Sequence, residues 1–367
     1  MQVTLDLSPI LVNRTAVYDI CMEVDRIASA RQAARLDYQF VGQLMPRIPP
    51  ASEQRELRRH FFRKVDEAGA GEPLVPPAGR KDQGDRNERR IFYLDPLYTL
   101  FGTLGPGDVV MCHDLSPITH PHWHQPNVSR LYDHAFSTIA RSGCSIIADS
   151  ANTADALWVN LGLAERVRTV HLYLPRSATR WYARPGAQSL ASVNPYFLFV
   201  GSLESRKNVC GMIEAFRLSR LANDGYRLLI VGTEGHGAGE IKQAASMTEG
   251  VVLCGFLPEH EKLAAYAGAT GFIYVSYLEG FGLPLLEAMA FGIPCVTTVT
   301  GACPEVGGPD VPCLDPDDHR GIAQALHKIV RLSQTQRARL GKRLRSRAET
   351  EFSFERFGRN IEEVLFG

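Results

Sequence analysis

Gly271-Phe-Ile-Tyr-Val275, followed by Glu279-Gly-Phe-Gly-Leu-Pro-Leu-Leu-Glu287-Ala-Met-Ala290, is the stretch on which the fold turns. Five apolar residues in a row are too few for a core helix and fit a strand buried on both faces, as in a parallel sheet. Two glycines then bracket Phe281, and Pro284 stands where the first helical turn tolerates a missing N–H. The pattern predicts a tight loop, Gly280–Leu283, feeding a helix whose N-terminal amides and positive dipole end form an anion cradle. Glu279 precedes the loop, and Glu287 lies about one turn inside the helix. A carboxylate repels phosphate, so hydroxyls are the better partners for both. Phosphate and hydroxyls together describe a sugar nucleotide.

Outward from this stretch, strand and helix alternate. Strands are expected at Tyr196–Val200, Tyr226–Val231, Val251–Cys254, Gly271–Val275 and Pro294–Thr298, with a helix after each. That spacing predicts a doubly wound parallel sheet. The first half repeats the theme less cleanly, with strands at Gln2–Leu7, near Tyr38–Val41, and at Val109–Cys112, Ser145–Ala148 and Thr169–Tyr173. Helices are expected at Tyr18–Ala30 and Ser52–Val65, and from about Asp317 to the end. Residues 69–90 have the Gly, Pro and charge content of a mobile loop, and residues 175–195 read as a linker. The chain of 367 residues is long for one core. The expectation is α/β: two Rossmann-like domains, 1–180 and 190–350, facing a central cleft that takes the ligand. A helix over 353–367 is a candidate to complete the first domain.

Composition excludes several classes. At 45% hydrophobic and 22% charged, the chain reads as a soluble globular protein. A formal net charge of +0 offers no global field for nucleic acid, so no nucleic-acid partner is expected. No run of 18 apolar residues and no basic-then-apolar amino end is present, which predicts a cytoplasmic protein. The eight cysteines are scattered without a C-x-x-C pair and read as reduced core residues. No metal is expected.

A second site element follows the strand Tyr196–Val200: Gly201-Ser-Leu-Glu-Ser-Arg206-Lys207-Asn208. Arginine grips phosphate bidentately and lysine adds a point charge, at the strand edge where open α/β sheets bind ligands. Alone, the Arg-Lys pair is better read as a solvated turn before a helix. Beside Glu279 and Glu287 it reads as a diphosphate site that needs no metal.

Together with Cys254-Gly-Phe-Leu257 and Pro304-Glu-Val306, these segments resemble the retaining glycosyltransferases of family 4, in order, over roughly residues 196–330. The resemblance implies a GT-B fold with the donor held mainly by the carboxyl-terminal domain. It implies that Arg206 and Lys207 contact the donor diphosphate, that Glu287 holds the ribose hydroxyls, and that Glu279 approaches the transferred sugar. Gly280, Phe281, Gly282 and Leu283 would meet sugar or phosphate through their backbone, Gly201 and Ser202 would line the donor site, and Gly255, Phe256 and Leu257 would seat the base.

In the first half, His113-Asp114 after the strand Val109–Cys112 is similar to the family's His-Asp turn, which implies a sugar contact by His113, with Asp114 a candidate to orient the turn. His120, His122 and His124 surround Trp123 but have no closing carboxylate at ligand spacing. Ser150 follows a strand and is a candidate cleft contact. Many relatives carry a Gly-Gly pair after the first strand. Here Asn13-Arg14 stands instead, as acceptor-side contacts or with Asn13 as a helix cap. The segment 54–64 mixes arginines with Phe61 and Phe62, which suits either an anionic membrane surface or an inward-packing helix.

The expectation is therefore a retaining, metal-independent glycosyltransferase with a nucleoside-diphosphate sugar as co-substrate. The best-fitting reaction moves a mannosyl unit from GDP-mannose to a glycan or polyprenyl-linked acceptor of a bacterial surface polysaccharide, at the inner face of the cytoplasmic membrane. A UDP-hexose or deoxysugar donor, an epimerase on the same scaffold, and a non-catalytic binding subunit stay open. A dehydrogenase does not fit, because neither first strand is followed by Gly-x-Gly-x-x-Gly.

Overall fold

The computed structural model describes residues 2–12, 16–31, 35–69, 89–175 and 195–367. The chain divides into two compact units, Met1–His171 with Phe357–Gly367, and Leu172–Arg356. Each is a mainly parallel sheet flanked by helices.

Among the described residues the first unit has seven strands: β1 (Gln2–Asp6), β2 (Arg35–Phe40), β3 (Gln43–Met45), β4 (Arg89–Tyr93), β5 (Val109–Cys112), β6 (Ser145–Ala148) and β7 (Val167–Thr169). Their order is β3-β2-β1-β4-β5-β6-β7, and every neighbouring pair is parallel except β2 with β3. β4 was not expected, because it begins just where the Gly-, Pro- and charge-rich run ends and only its Ile-Phe-Tyr end is apolar. β3 was also unexpected. It turns back on β2 through Val41 and Gly42, both at positive φ (48° and 77°). The expected strand Thr169–Tyr173 lies earlier, as β7; Val170 and Leu172–Leu174 are buried without joining the ladder.

The second unit has six strands, all parallel: β8 (Tyr196–Val200), β9 (Arg227–Val231), β10 (Val251–Gly255), β11 (Gly271–Tyr274), β12 (Cys295–Thr298) and β13 (Cys313–Leu314), in the order β10-β9-β8-β11-β12-β13. Counted within the unit this is 3-2-1-4-5-6, the dinucleotide-binding order. The order reverses between β8 and β11, both wholly buried. Ligands of such sheets bind beyond the carboxyl ends of the strands at that reversal.

The helix Ala51–Gly69 packs Leu57 and Phe61 inward, with the Phe61 ring 5.5 Å from Tyr98 and 5.7 Å from Phe101. Phe62 faces outward, 44% exposed, beneath the Arg58 guanidinium. All eight cysteines are free, and five are buried; Cys210 is exposed, contrary to a core role. Among the described residues no helix is long and apolar enough to cross a membrane.

Candidate functional site

β8 and β11 end side by side at the sheet reversal, and the loops that leave them carry the charged residues. After β8, Gly201–Glu204 runs against the loop after β9: Leu203 N–H donates to Thr233 O (2.8 Å) and Ser205 N–H to His236 O (2.9 Å). The two backbones touch so closely that a β-carbon on Gly232 would collide with the Gly201 carbonyl oxygen. A short 3-10 turn, Ser205–Lys207, then presents both cations.

Asn208 ends that turn in the left-handed region, φ 51°, and is 4% exposed. It stands at the N-cap of the helix Val209–Ser219, yet its side chain does not cap it. The carboxamide instead donates to Val275 O (3.1 Å) and Pro316 O (2.8 Å), tying the turn to the end of β11 and to a third segment. Gly211 allows this, because a β-carbon there would overlap Asn208 Oδ1.

Lys207 is 7% exposed, and its Nζ lies 2.7 and 2.9 Å from the two carboxylate oxygens of Glu279 and 3.0 Å from the Tyr274 hydroxyl. Arg206 reaches the same carboxylate through Nη1 (3.5 Å), donates to Leu278 O (3.2 Å), and pairs through Nε with Glu204 (2.9 Å). Burial alone would raise the Glu279 carboxyl, but Lys207 and Arg206 outweigh it and hold the group below the usual range. Glu279 is thus an ionised, buried carboxylate shared by two cations.

The loop 279–282 is buried, with Phe281 edge-on to Phe352 (5.5 Å, 81°). Gly282 takes φ 96°, a conformation L side chains rarely adopt, and precedes the helix Leu283–Ala290. Glu287, on that helix, is 5% exposed. Its Oε1 lies 2.9 Å from Lys262 Nζ and its Oε2 accepts from the Tyr266 hydroxyl (2.8 Å). Gly255 has φ 67° with open space where a β-carbon would sit, and Phe256 is 72% exposed, as a stacking surface requires. Ser202 donates to Glu204 Oε1 (2.7 Å).

Arg206, Lys207, Glu279, Gly201 and Ser202 are therefore gathered at the reversal of the second sheet. Glu287 sits on the adjoining helix, and Gly255–Leu257 leaves β10 at the same carboxyl edge. Glu204, Asn208, Lys262, Tyr266 and Tyr274 belong to the same network and escaped the sequence reading. Lys262 and Tyr266 carry a faint signal, one turn apart on a helix following the expected base loop.

The first unit holds the remaining candidates. His113 presents Nε2 to Leu94 O (3.1 Å) and Nδ1 to Asp149 (3.3 Å), so both ring nitrogens face acceptors. Burial alone would lower the imidazole, but the Asp149 carboxylate, Asp95 and the Leu94 carbonyl outweigh it and lift it to about 9. A hydroxyl contact through His113 would have to replace one of these partners. Asp114 orients its turn, accepting from Ser116 N–H (2.8 Å) and Oγ (2.6 Å). Ser150 is fully buried, and its oxygen accepts from Thr153 N–H (3.0 Å) as the N-cap of the helix Ala151–Leu161. A ligand contact through Ser150 would have to share the oxygen with this cap. His120 stacks on Trp123 (4.2 Å, 5°) and His124 bonds Ser116. Among the described residues no group of three His, Cys, Asp or Glu could hold a metal ion. Asn13 and Arg14 lie outside the described residues.

Comparison with known proteins gives likenesses by sequence and by fold. Residues 186–347 match the family described as Glycosyl transferases group 1. The O-antigen chain mannosyltransferase B of Escherichia coli is 26% identical over 340 residues, covering 88% of this chain and 89% of that protein. Sucrose-phosphate synthase from Thermosynechococcus elongatus has the same fold at a TM-score of 0.65 and 17% identity, over 99% of this chain and 98% of that one. WaaG, a glycosyltransferase involved in lipopolysaccharide biosynthesis, superposes over the whole of both chains at a TM-score of 0.64 and 14% identity. By sequence, residues 186–347 match the glycosyl transferases group 1 family, and by fold the chain has the two-sheet GT-B architecture.

Proposed function

We propose that the protein is a retaining glycosyltransferase that moves a mannosyl unit from GDP-mannose onto a glycan or polyprenyl-linked acceptor in surface-polysaccharide synthesis. The observation that carries this reading is the convergence of Arg206 and Lys207 on one buried carboxylate, Glu279, at the reversal point of a dinucleotide-type sheet. The mannosyl preference rests on the similarity to an O-antigen mannosyltransferase.

In this reading Arg206 and Lys207 stabilise the charge that develops on the leaving diphosphate, and no metal is needed. Removal of one such donor typically costs ~2.7–4 kcal/mol of barrier. Glu287, once detached from Lys262 and Tyr266, accepts the ribose hydroxyls. Glu279 faces the transferred sugar. The acceptor attacks from the face the diphosphate leaves, and the leaving phosphate takes its proton, which retains the anomeric configuration. The exposed Phe62, with Arg58, Arg59 and Arg63 beside it, supports a peripheral contact of 54–64 with an anionic bilayer at the cytoplasmic face.

The test is a thermal-shift screen of GDP, UDP and their sugars, followed by transfer assays with the best donor, in the presence of chelator, and NMR of the product's anomeric configuration. GDP-mannose is expected to stabilise most, by roughly 2.7 kcal/mol at a hundredfold excess over Kd. Arg206→Ala and Lys207→Ala should lower kcat about a hundredfold or more. Undiminished turnover in either variant removes the diphosphate assignment.

A further inference from the structure

The two cations of the turn Ser205–Lys207 meet two carboxylates, Glu204 beside them on the turn and Glu279 from the loop after β11. Glu279 is held from inside by Lys207 and Arg206, and its side chain is 7% exposed. Glu204 closes the turn from outside, with Oε2 2.9 Å from Arg206 Nε and Oε1 2.7 Å from the Ser202 hydroxyl, and its side chain is 30% exposed. Two positive and two negative groups leave the cluster without net charge. An arriving diphosphate would meet no attractive field unless one carboxylate left the cations.

Glu279 is the harder to move, since both its oxygens lie on a buried ammonium. Glu204 is bound by one edge of a guanidinium and one hydroxyl, on the solvent side. The backbone need not follow it. Gly201 N–H to Val231 O (2.9 Å), Leu203 N–H to Thr233 O (2.8 Å), Gly235 N–H to Leu203 O (3.1 Å) and Ser205 N–H to His236 O (2.9 Å) fasten the turn to its neighbour. The Glu204 side chain itself lies in the space over Gly235 that a β-carbon would fill. Gly232-Thr-Glu-Gly235 is thereby the seat of this carboxylate.

We propose that Glu204 is a place-holder for phosphate. Its carboxylate engages Arg206 Nε and Ser202 Oγ as a phosphate oxygen would, and the donor's diphosphate displaces it by side-chain rotation alone. The inference rests on the reading of Arg206 and Lys207 as the diphosphate site. It makes Glu204 a specificity-determining residue: a ligand must bring enough negative charge to expel it, so diphosphates are favoured over uncharged sugars and nucleosides.

Titration calorimetry of GDP and UDP into the whole chain tests this. Glu204→Gln keeps the shape and removes the competing charge. Binding is expected to tighten about two- to fivefold, the factor for one part-exposed ion pair, with the gain shrinking as salt rises. Glu204→Ala should tighten binding in the same direction, and the melting temperature without nucleotide checks that both variants are folded. Unchanged or weaker nucleotide binding in folded Glu204→Gln and Glu204→Ala overturns the place-holder. Arg206→Ala separates the two ideas. If it weakens binding while the Glu204 variants do not tighten it, the place-holder alone fails. If Arg206→Ala leaves affinity unchanged, the diphosphate reading itself fails.

Discussion

At the scale of single residues, Lys207 and Glu279 are a buried pair whose partners depend on each other. Taking two charges out of water is costly, and their mutual attraction repays it only while both are present. Lys207→Met should lower folding stability by ~3 kcal/mol in urea titrations, because Glu279 would stay buried with only the longer Arg206 contact (3.5 Å) to offset its charge. The double variant Lys207→Met with Glu279→Gln should recover most of that loss while remaining inactive. A single variant as stable as the parent would show that Glu279 reaches water when unpaired. His113 gives a second residue-level expectation. Its folded value of about 9 lies above its ordinary 6.5, so it contributes stability that is complete below about pH 6.5 and is lost as pH rises through 9. The span corresponds to roughly 3 kcal/mol. Urea unfolding followed between pH 6 and 10 should show this decline in the first unit, and His113→Gln should flatten it. An unchanged slope in the variant would assign the decline elsewhere.

At the scale of elements, the turn Ser205–Lys207 is aimed by Asn208 rather than by its own short hydrogen bonds. The carboxamide donates to carbonyls of two other segments and leaves the helix behind it without a side-chain cap. Asn208→Asp is nearly isosteric but cannot donate, and it would set a carboxylate against two carbonyls. It should cost more than about 2 kcal/mol and lower kcat. Asn208→Gly keeps the left-handed backbone and should cost less. Equal losses would locate the importance in the backbone alone. The same elements show what sequence could reveal. β8, β11 and the helix after Gly282 were legible because uninterrupted apolar runs, paired glycines and a proline each have one good local solution. The cations and acids of the site were legible because they stand in short contiguous segments. Lys262 and Tyr266 were not, since their partner Glu287 is 25 and 21 positions away and becomes a neighbour only once the loops are folded, while Glu204 stands in a legible segment but its pairing with Arg206 depends on how the turn folds. β3 and β4 were hidden for a related reason: only their pairing with β2 and β1 distinguishes them from the polar segments around them.

For the whole molecule, the segment Phe357–Gly367 belongs to the first unit although it follows the second in sequence. Ile361 and Leu365 are fully buried, Arg90 donates to Val364 O (2.6 Å), and Arg168 pairs with Glu363 (2.6 Å). Removing the residues after Arg356 should therefore abolish or sharply lower the first unit's unfolding transition in calorimetry. Nucleotide affinity, proposed here for the second unit, should stay within about twofold, because the deletion removes none of the residues assigned to the donor site. Loss of nucleotide binding in the truncated chain would count against that independence. Domains made on the ribosome ordinarily complete in the order in which they are translated. Here the half encoded first cannot be completed until residues 357–367 have been made, after every residue of the half encoded later.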